Sequence, residues 1–465
     1  MLGLMFVMVA CVDAPDSGEG DDAVPCSGES VQVAVAETAM PTVLRLTWTT
    51  PAESVGQVVF SGEGQVERWS ATTLGTEHEV LLVGLRPASL VSYSVLVDGE
   101  RACGGSGTAS TGALEVTLPS PEVRVATPGA ADAGLTVVPL IGNGGSGAAI
   151  LDEGGAIVWA AQLGGGGGRP VYRAVPSLDG EAVLFNESTD GSRTPGVLYR
   201  VSLDGEVGAS FDVPGGHTDF VEWAPREYAM LGWEIRDFDG RRLMGDTIIE
   251  FDEEGNSTVV WSVFDSLTPD LSETYDLGWY PDDPTVEDWT HVNSLAYSPD
   301  EDAYYVTMTL DDGVARVDRS TGEMTWLMGT AVGDFETPDG QRLFARPHSV
   351  QPLDGLLVVF NRFNAGREGG SCAHSVEVAY DPAAGTAAST WAYEPDDCVE
   401  VEWLGSAQRL AGGSTLSCFS SAGRLDEVDD DGTLVLNLTL SAGNAFGFAH
   451  RIEEPAGSFP RDASP

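Results

Sequence analysis

The chain of 465 residues contains no lysine, so all 23 basic residues are arginine. That absence excludes lysine Schiff bases, a phosphate-binding Walker loop and a kinase-type lysine. Handling of anions falls to arginine, histidine, asparagine and backbone amides. Positive charge of any kind is scarce: 72 acidic side chains against 23 basic ones leave a formal charge of −49. A surface of that sign repels phosphates, which argues against nucleic acid and anionic membrane surfaces as partners. There are six cysteines and no CxxC pair, so a structural zinc site is not expected. Helical periodicity is nearly absent, and no segment is long and apolar enough to span a membrane as a helix. Apolar content of 42% is nonetheless that of a globular chain, with length enough for two or three domains.

Residues 1–11 read as a lipoprotein signal, apolar from Met1 to Ala10 and closing on Cys11 as the residue that takes the lipid. Residues 12–27 read as an acidic tether. The expectation is an exported protein, lipid-anchored in the cell envelope on the periplasmic or outer surface, with no other membrane contact. Its remaining cysteines then sit in an oxidising compartment. Cys26 and Cys103 bracket the first domain and are expected to pair. Cys372, Cys398 and Cys418 are expected to give one pair and one free thiol.

Residues 28–118 read as a compact all-β unit. Alternation is clear in Val43-Leu44-Arg45-Leu46-Thr47-Trp48 and in Ser92-Tyr93-Ser94-Val95-Leu96-Val97, with Val80 to Pro87 between them. An early-strand tryptophan, a Gly-Leu-x-Pro corner and an alternating tyrosine strand resemble fibronectin type III β-sandwiches. Residues 119–131 read as a linker. Beyond it the chain repeats an aspartate, a turn glycine and an apolar or aromatic strand end: Asp152…Gly155…Trp159, Asp204-Gly205…Phe211, Asp252…Gly255…Trp261, Asp318…Gly322…Trp326, Asp381…Gly385…Trp391 and Asp431-Gly432…Leu436. Asp/Gly turns between apolar runs mark hairpins. With a second turn upstream in most units, each holds about four strands. Six such units predict a six-bladed β-propeller over residues 132–455, leaving 456–465 as a tail. The fold class is therefore all-β, a sandwich followed by a propeller.

In a propeller the starts of the innermost strands meet at one mouth of the central channel. Those starts read Val171-Tyr172-Arg173, His217-Thr218-Asp219, His291-Val292-Asn293, Pro347-His348-Ser349 and Glu400-Val401-Glu402, while the first blade's is not evident. Three of only six histidines thus fall at strand starts. A ring of Arg173, His217, His291, Asn293 and His348 is compatible with a metal site, with nucleophilic group transfer, or with a hydrogen-bonded plug.

The run Asp288-Trp289-Thr290-His291-Val292-Asn293-Ser294, followed by Asp318-Arg319-Ser320-Thr321-Gly322-Glu323…Trp326, resembles the bacterial arylsulfotransferase family. Phe344-Ala345-Arg346-Pro347-His348-Ser349 is similar to that family's second histidine motif, and Gly216-His217-Thr218-Asp219 to an earlier one. The resemblance implies a six-bladed propeller behind a β-sandwich. It implies PAPS-independent transfer of a sulfuryl group from a phenolic sulfate ester to a phenol acceptor, through a sulfohistidine intermediate and with no cofactor or metal. It makes His348 the nucleophile, His291 and Asn293 contacts of the sulfuryl and phenol oxygens, and His217 the remaining site histidine.

Thr309 stands where the family has an arginine, and Phe360-Asn361-Arg362 departs from the family's run after the nucleophile's strand. Arg173, Arg346 and Arg362 are the candidates to supply the charge, with Thr309 a neutral donor. The competing expectation is a catalytically degenerate propeller lipoprotein that serves as a surface binding module. The acidic, aromatic insertion Tyr275 to Trp289, which holds Trp279, Tyr280, Asp282 and Asp283, reads either as a wall for a phenol or as a loop packed on the rim.

Overall fold

The computed structural model describes residues 26–127, 131–132, 134–163, 169–187, 195–272, 275–277, 283–329, 333–363 and 372–452. The signal and lipid-acceptor readings at residues 1–11, most of the tether and the tail fall outside these, as do Trp279, Tyr280 and Asp282. Among the described residues the architecture is almost entirely β.

Two sheets face each other at the N-terminal end. One has three strands, Ala34–Glu37, Leu44–Ser54 and Gly75–Leu82; the other has four, Arg68–Ala71, Gly56–Gly62, Leu90–Val97 and Glu100–Ser110. The alternating runs do what period two requires. Leu44, Leu46 and Trp48 turn inward against Val58, Phe60, Val91 and Val95, while Arg45 and Thr47 turn out. Trp48 stacks on His78 at 5.0 Å in this core. A disulfide joins Cys26 to Cys103.

Six further sheets form the blades. Blade 2 is Val171–Pro176, Ala182–Glu187, Gly196–Ser202 and Gly208–Val213. Blade 3 is Gly216–Ala224, Glu227–Phe238, Arg241–Asp252 and Ser257–Ser262, with Val286–Asp288 added in parallel to the start of the third strand. Blade 4 is Val292–Ser298, Ala303–Met308, Gly313–Asp318 and Met324–Met328. Blade 5 is Pro347–Leu353, Leu356–Asn361, His374–Asp381 and Thr386–Tyr393. The repeated aspartates cap the tight turns between strands: Asp152 Oδ1 accepts from the amides of Gly154 and Ala156, both at 2.9 Å, and Gly155 follows with φ of 75°.

Blades 1 and 6 depart from the simple repeat. Blade 1 contributes Thr136–Gly142, Gly145–Leu151 and Ile157–Gln162 from its own stretch. Its innermost edge is Ala445–Phe446 and His450–Arg451, which pair with Thr136–Gly142 from about 300 residues away. No strand start is legible for the first blade because its inner edge comes from the far end of the chain. Blade 6 is Ser406–Arg409, Thr415–Phe419, Arg424–Val428 and Leu434–Thr439, and its outer edge takes Glu122–Ala126 as a fifth strand. The interval expected as a plain linker therefore holds a strand, because the alternating Val123 and Val125 find an open ladder on Leu434–Thr439. The expected opening of blade 6, Glu400 to Glu402, is a loop; the inner strand begins at Ser406.

Apolar clusters fill the seams. Leu184, Leu198, Phe220 and Met230 lie between blades 2 and 3, and Ile248, Trp261, Tyr304 and Val306 between blades 3 and 4. The seam of blades 6 and 1 holds Val138, Leu140, Leu416, Leu425 and Leu438. Polar side chains tie neighbouring blades together across these and the other seams. Ser146 Oγ accepts from Val171 N at 2.8 Å, Asp219 from Leu295 N at 2.8 Å, Ser349 Oγ from Ala407 N at 3.1 Å and Ser406 Oγ from Ala449 N at 3.0 Å. The sandwich docks on blades 1 and 2 through ion pairs: Arg68, buried, holds Glu153 at 2.7 Å, Arg86 holds Asp152 at 2.6 Å and Arg45 holds Asp204 at 2.5 Å.

Candidate active site

The inner strands of blades 2 to 5 share one local irregularity. Their pairing slips at Val171/Ala174, His217/Phe220, Val292/Ser294 and Pro347/Ser349, each within the first residues of the strand. Such a bulge leaves residues outside the ladder and re-aims their side chains. The residues set aside are Tyr172 and Arg173, Thr218 and Asp219, Asn293, and His348. Beside them Thr218, His291, Arg346 and Leu404 adopt left-handed backbone, with φ of 40°, 49°, 53° and 55°. Each such conformation costs a non-glycine residue on the order of 1–3 kcal/mol, and such residues cluster at functional sites.

Of these, Tyr172, Thr218, His291, Asn293, His348 and Leu404 line a cavity of about 110 Å³. His217, His291, Asn293 and His348 all line it, together with Arg362. Its walls are Tyr172, Trp233, Met244, Trp403 and Leu404, and Asp246, Asp288 and Glu402 complete the polar part. Arg173 does not line the cavity. Its Nε lies 3.4 Å from the buried carboxylate of Asp219, and its guanidinium lies over Phe448. Thr309 is buried and does not line the cavity. It accepts from the Asn293 amide and donates to Pro347 O at 3.0 Å, so it joins blades 4 and 5. Arg346 precedes the strand of His348, its amide held by Asp312 Oδ1 at 2.6 Å.

The three histidines are held differently. His217 is buried and stacked on Trp233 at 4.5 Å. Its Nδ1 contacts Thr218 Oγ1 at 3.0 Å, and its Nε2 lies 3.2 Å from Asp246 Oδ1. His348 donates from Nδ1 to Arg346 O at 3.0 Å, which places its lone pair on Nε2. Burial, together with the charges of Arg362, His291 and Arg346, holds its pKa well below the usual histidine range. His291 contacts Asp288 Oδ2 through Nδ1 at 2.5 Å. Burial alone would lower its pKa, but the Asp288 bond and the charges of Asp288 and Asp246 outweigh that and raise it. Burial also favours the neutral form of Asp288. Burial and the charge of Arg346 lower the Arg362 pKa to about 10, which leaves it a cation at neutral pH.

Asn293 is committed within the protein as well: it donates to Thr309 and accepts from Thr307 Oγ1 at 2.8 Å. Among the described residues, no three His, Cys, Asp or Glu side chains are grouped as metal ligands. Trp289 of the aromatic insertion packs in the core on Phe264 at 5.0 Å, and Asp283 pairs with Arg242. Of the described residues of that segment, Asp288 lines the cavity, while Trp289 and Asp283 are engaged elsewhere. The aromatic walls come from elsewhere: Tyr172 and Trp403 face each other at 6.3 Å. A disulfide between Cys372 and Cys398 lies just before the run carrying Glu402, Trp403 and Leu404, and Cys418 is a buried free thiol whose pKa burial raises to about 12.

Sequence reasoning assigned no role to Asp246, Asp288, Trp233 or Trp403. Asp246 carried a signal, a lone acid inside the apolar run Leu243 to Ile249, where an unpaired charge would be costly. Asp288 stands three residues before His291, and nothing local marks the two tryptophans.

Among curated proteins none matches the chain significantly. Of solved structures, a periplasmic gluconolactonase from Pseudomonas aeruginosa is 13% identical, covering 69% of this chain and 100% of its own, with a TM-score of 0.38. A catalytically inactive virginiamycin B lyase from Staphylococcus aureus with quinupristin is 11% identical, covering 70% and 97%, with a TM-score of 0.39. At such TM-scores they bear on neither the chemistry nor the details of the fold. Residues 131–355, which hold His217, His291, Asn293, Thr309 and His348, match the arylsulfotransferase (ASST) family model, and this domain supports a sulfotransferase-type function.

Proposed function

We propose that the cavity moves a sulfuryl group from a phenolic sulfate ester to a phenol through a sulfohistidine on His348, without a nucleotide donor. The observation that carries this reading is that one cavity is lined by His348, whose Nδ1 donates to Arg346 O, and by His291, whose Nδ1 meets the buried carboxylate of Asp288. Burial keeps His348 neutral with its lone pair on Nε2, and the Asp288 contact shifts His291 toward the cation. In the first half-reaction Nε2 of His348 attacks sulfur and the bond from sulfur to the phenol oxygen breaks. That oxygen keeps the electron pair and takes the proton of His291, so a neutral phenol leaves. In the second half-reaction neutral His291 takes the proton of the acceptor phenol, whose oxygen attacks sulfur and returns His348 to its starting form. Charge gathers on the equatorial oxygens during transfer, as in phosphoryl transfer, and Arg362 is the cation at hand. Tyr172, Trp233 and Trp403 supply the aromatic surface for the phenol ring. His217, stacked on Trp233 and held through Nδ1 by Thr218, acts as a fixed wall.

The binding-module reading draws on Thr309, which brings no charge and occupies Asn293. One assay separates the two: phenol release from p-nitrophenyl sulfate, with and without a second phenol, for wild type and His348→Asn. Acceptor-dependent release that disappears in the variant is expected. Folded protein that releases nothing with any phenol would leave the binding module standing.

We read the three-plus-four-stranded sandwich as fibronectin III-like, on the alternation and corner described above. We place the protein in the cell envelope, anchored at Cys11; labelled palmitate entering wild type but not Cys11→Ser is the expected result.

A further inference from the structure

We propose that Asp288 is a positioning residue that holds His291 through Nδ1 as an imidazolium, so that this ring presents a second positive group, beside Arg362, to an anionic ester in the cavity. The inference rests on the sulfotransfer reading for its catalytic consequence, but not for its structural content.

The segment around His291 is pinned on both sides. Val286–Asp288 runs parallel to Arg241–Asp252, with Asp288 opposite Met244, and Trp289 N donates to Met244 O at 2.9 Å. Thr290 Oγ1 and Val292 N both donate to Asp246 Oδ2, at 2.5 and 2.9 Å. Between these anchors His291 takes a left-handed backbone, which turns its ring back onto the carboxylate three residues earlier. Asp288 is 2% exposed, so its charge is screened little by water. The charged groups that act on His291 include Asp288, Asp246 and Arg346, with His348 at the same cavity; His217 acts on Asp288. Two carboxylates against one guanidinium favour the cation.

The imidazolium is present below the raised pKa of His291 and is lost as pH rises through it, so kcat/KM for a sulfate ester falls on the alkaline side. Asp288→Asn keeps an acceptor for Nδ1–H but removes the charge. It is expected to move this alkaline limb to lower pH by about one unit, a loss of about tenfold at a fixed pH on the limb. Asp288→Glu is expected to restore part of it. A carboxylate that only orients a neutral ring would leave the limb in place, and that result overturns the proposal.

The titration of His291 by nitrogen NMR, in wild type and in His348→Asn protein that cannot turn over, reads the same pair without catalysis. A His291 that is neutral at pH 7 in folded wild type overturns the proposal even if Asp288→Asn fails to fold. A His291 that is cationic in protein that sulfates no phenol supports the role of Asp288 while removing the sulfotransfer reading.

Discussion

Arg362 follows the second strand of blade 5 and donates from Nε to Val401 O at 3.1 Å, so its guanidinium is fixed before any substrate arrives. A preorganised donor at a developing oxyanion is worth roughly 10²–10³ in rate. Arg362→Met is therefore expected to lower kcat/KM by about that factor with little change in melting temperature, measured with the same sulfate ester. Thr309→Val is expected to do the reverse. It leaves Pro347 O and the Asn293 amide without a buried partner, a loss of about 1–3 kcal/mol seen in urea unfolding. The sequence named His217, His291, Asn293 and His348, because rare residue types at strand starts are visible in a repeat, and Arg362 as a candidate for the charge that Thr309 does not bring. It misplaced Arg173, because the carboxylate that captures it, Asp219, comes from the next blade. It could not separate Thr309 from the lining, since that depends on which residues each bulge sets aside.

At the scale of elements, the six repeat units were legible from their turns, where an aspartate and a glycine do local work. The exceptions are long-range pairings: Glu122–Ala126 on blade 6 and the two short strands of 445–451 on blade 1. Periodicity carries no information about which edge a strand will join. Arg451 shows what the second of these contributes. It is buried, donating to Glu427 Oε2 at 3.0 Å and to Thr136 Oγ1 at 2.9 Å. Arg451→Met leaves Glu427 as a buried, unpaired charge and is expected to cost about 3–5 kcal/mol in urea unfolding. Adding Glu427→Gln is expected to recover part of that loss. The Cys372–Cys398 bond joins residues 26 apart in sequence, just before the Trp403 run. Cys398→Ser is expected to raise KM for the phenol while chemistry at His348 continues, which steady-state kinetics would separate.

For the whole molecule the charge of −49 is the dominant fact. An anionic ester must approach against that field, whereas a neutral phenol does not feel it. Screening shortens the field to about 8 Å at 0.15 M salt. Rising ionic strength is therefore expected to increase kcat/KM for the ester and to leave that for the phenol unchanged, which initial rates at several salt concentrations would check.

The seam between blades 6 and 1 is latched twice, once by strand 122–126 going one way and once by residues 445–451 going the other. Until both latches are in place, blade 1 has a bare inner edge and blade 6 a bare outer one. Such edges are templates for mispairing, and joining partners about 300 residues apart is entropically slow. Ring closure is thus expected late in folding, and slowed closure is expected to expose the chain to aggregation.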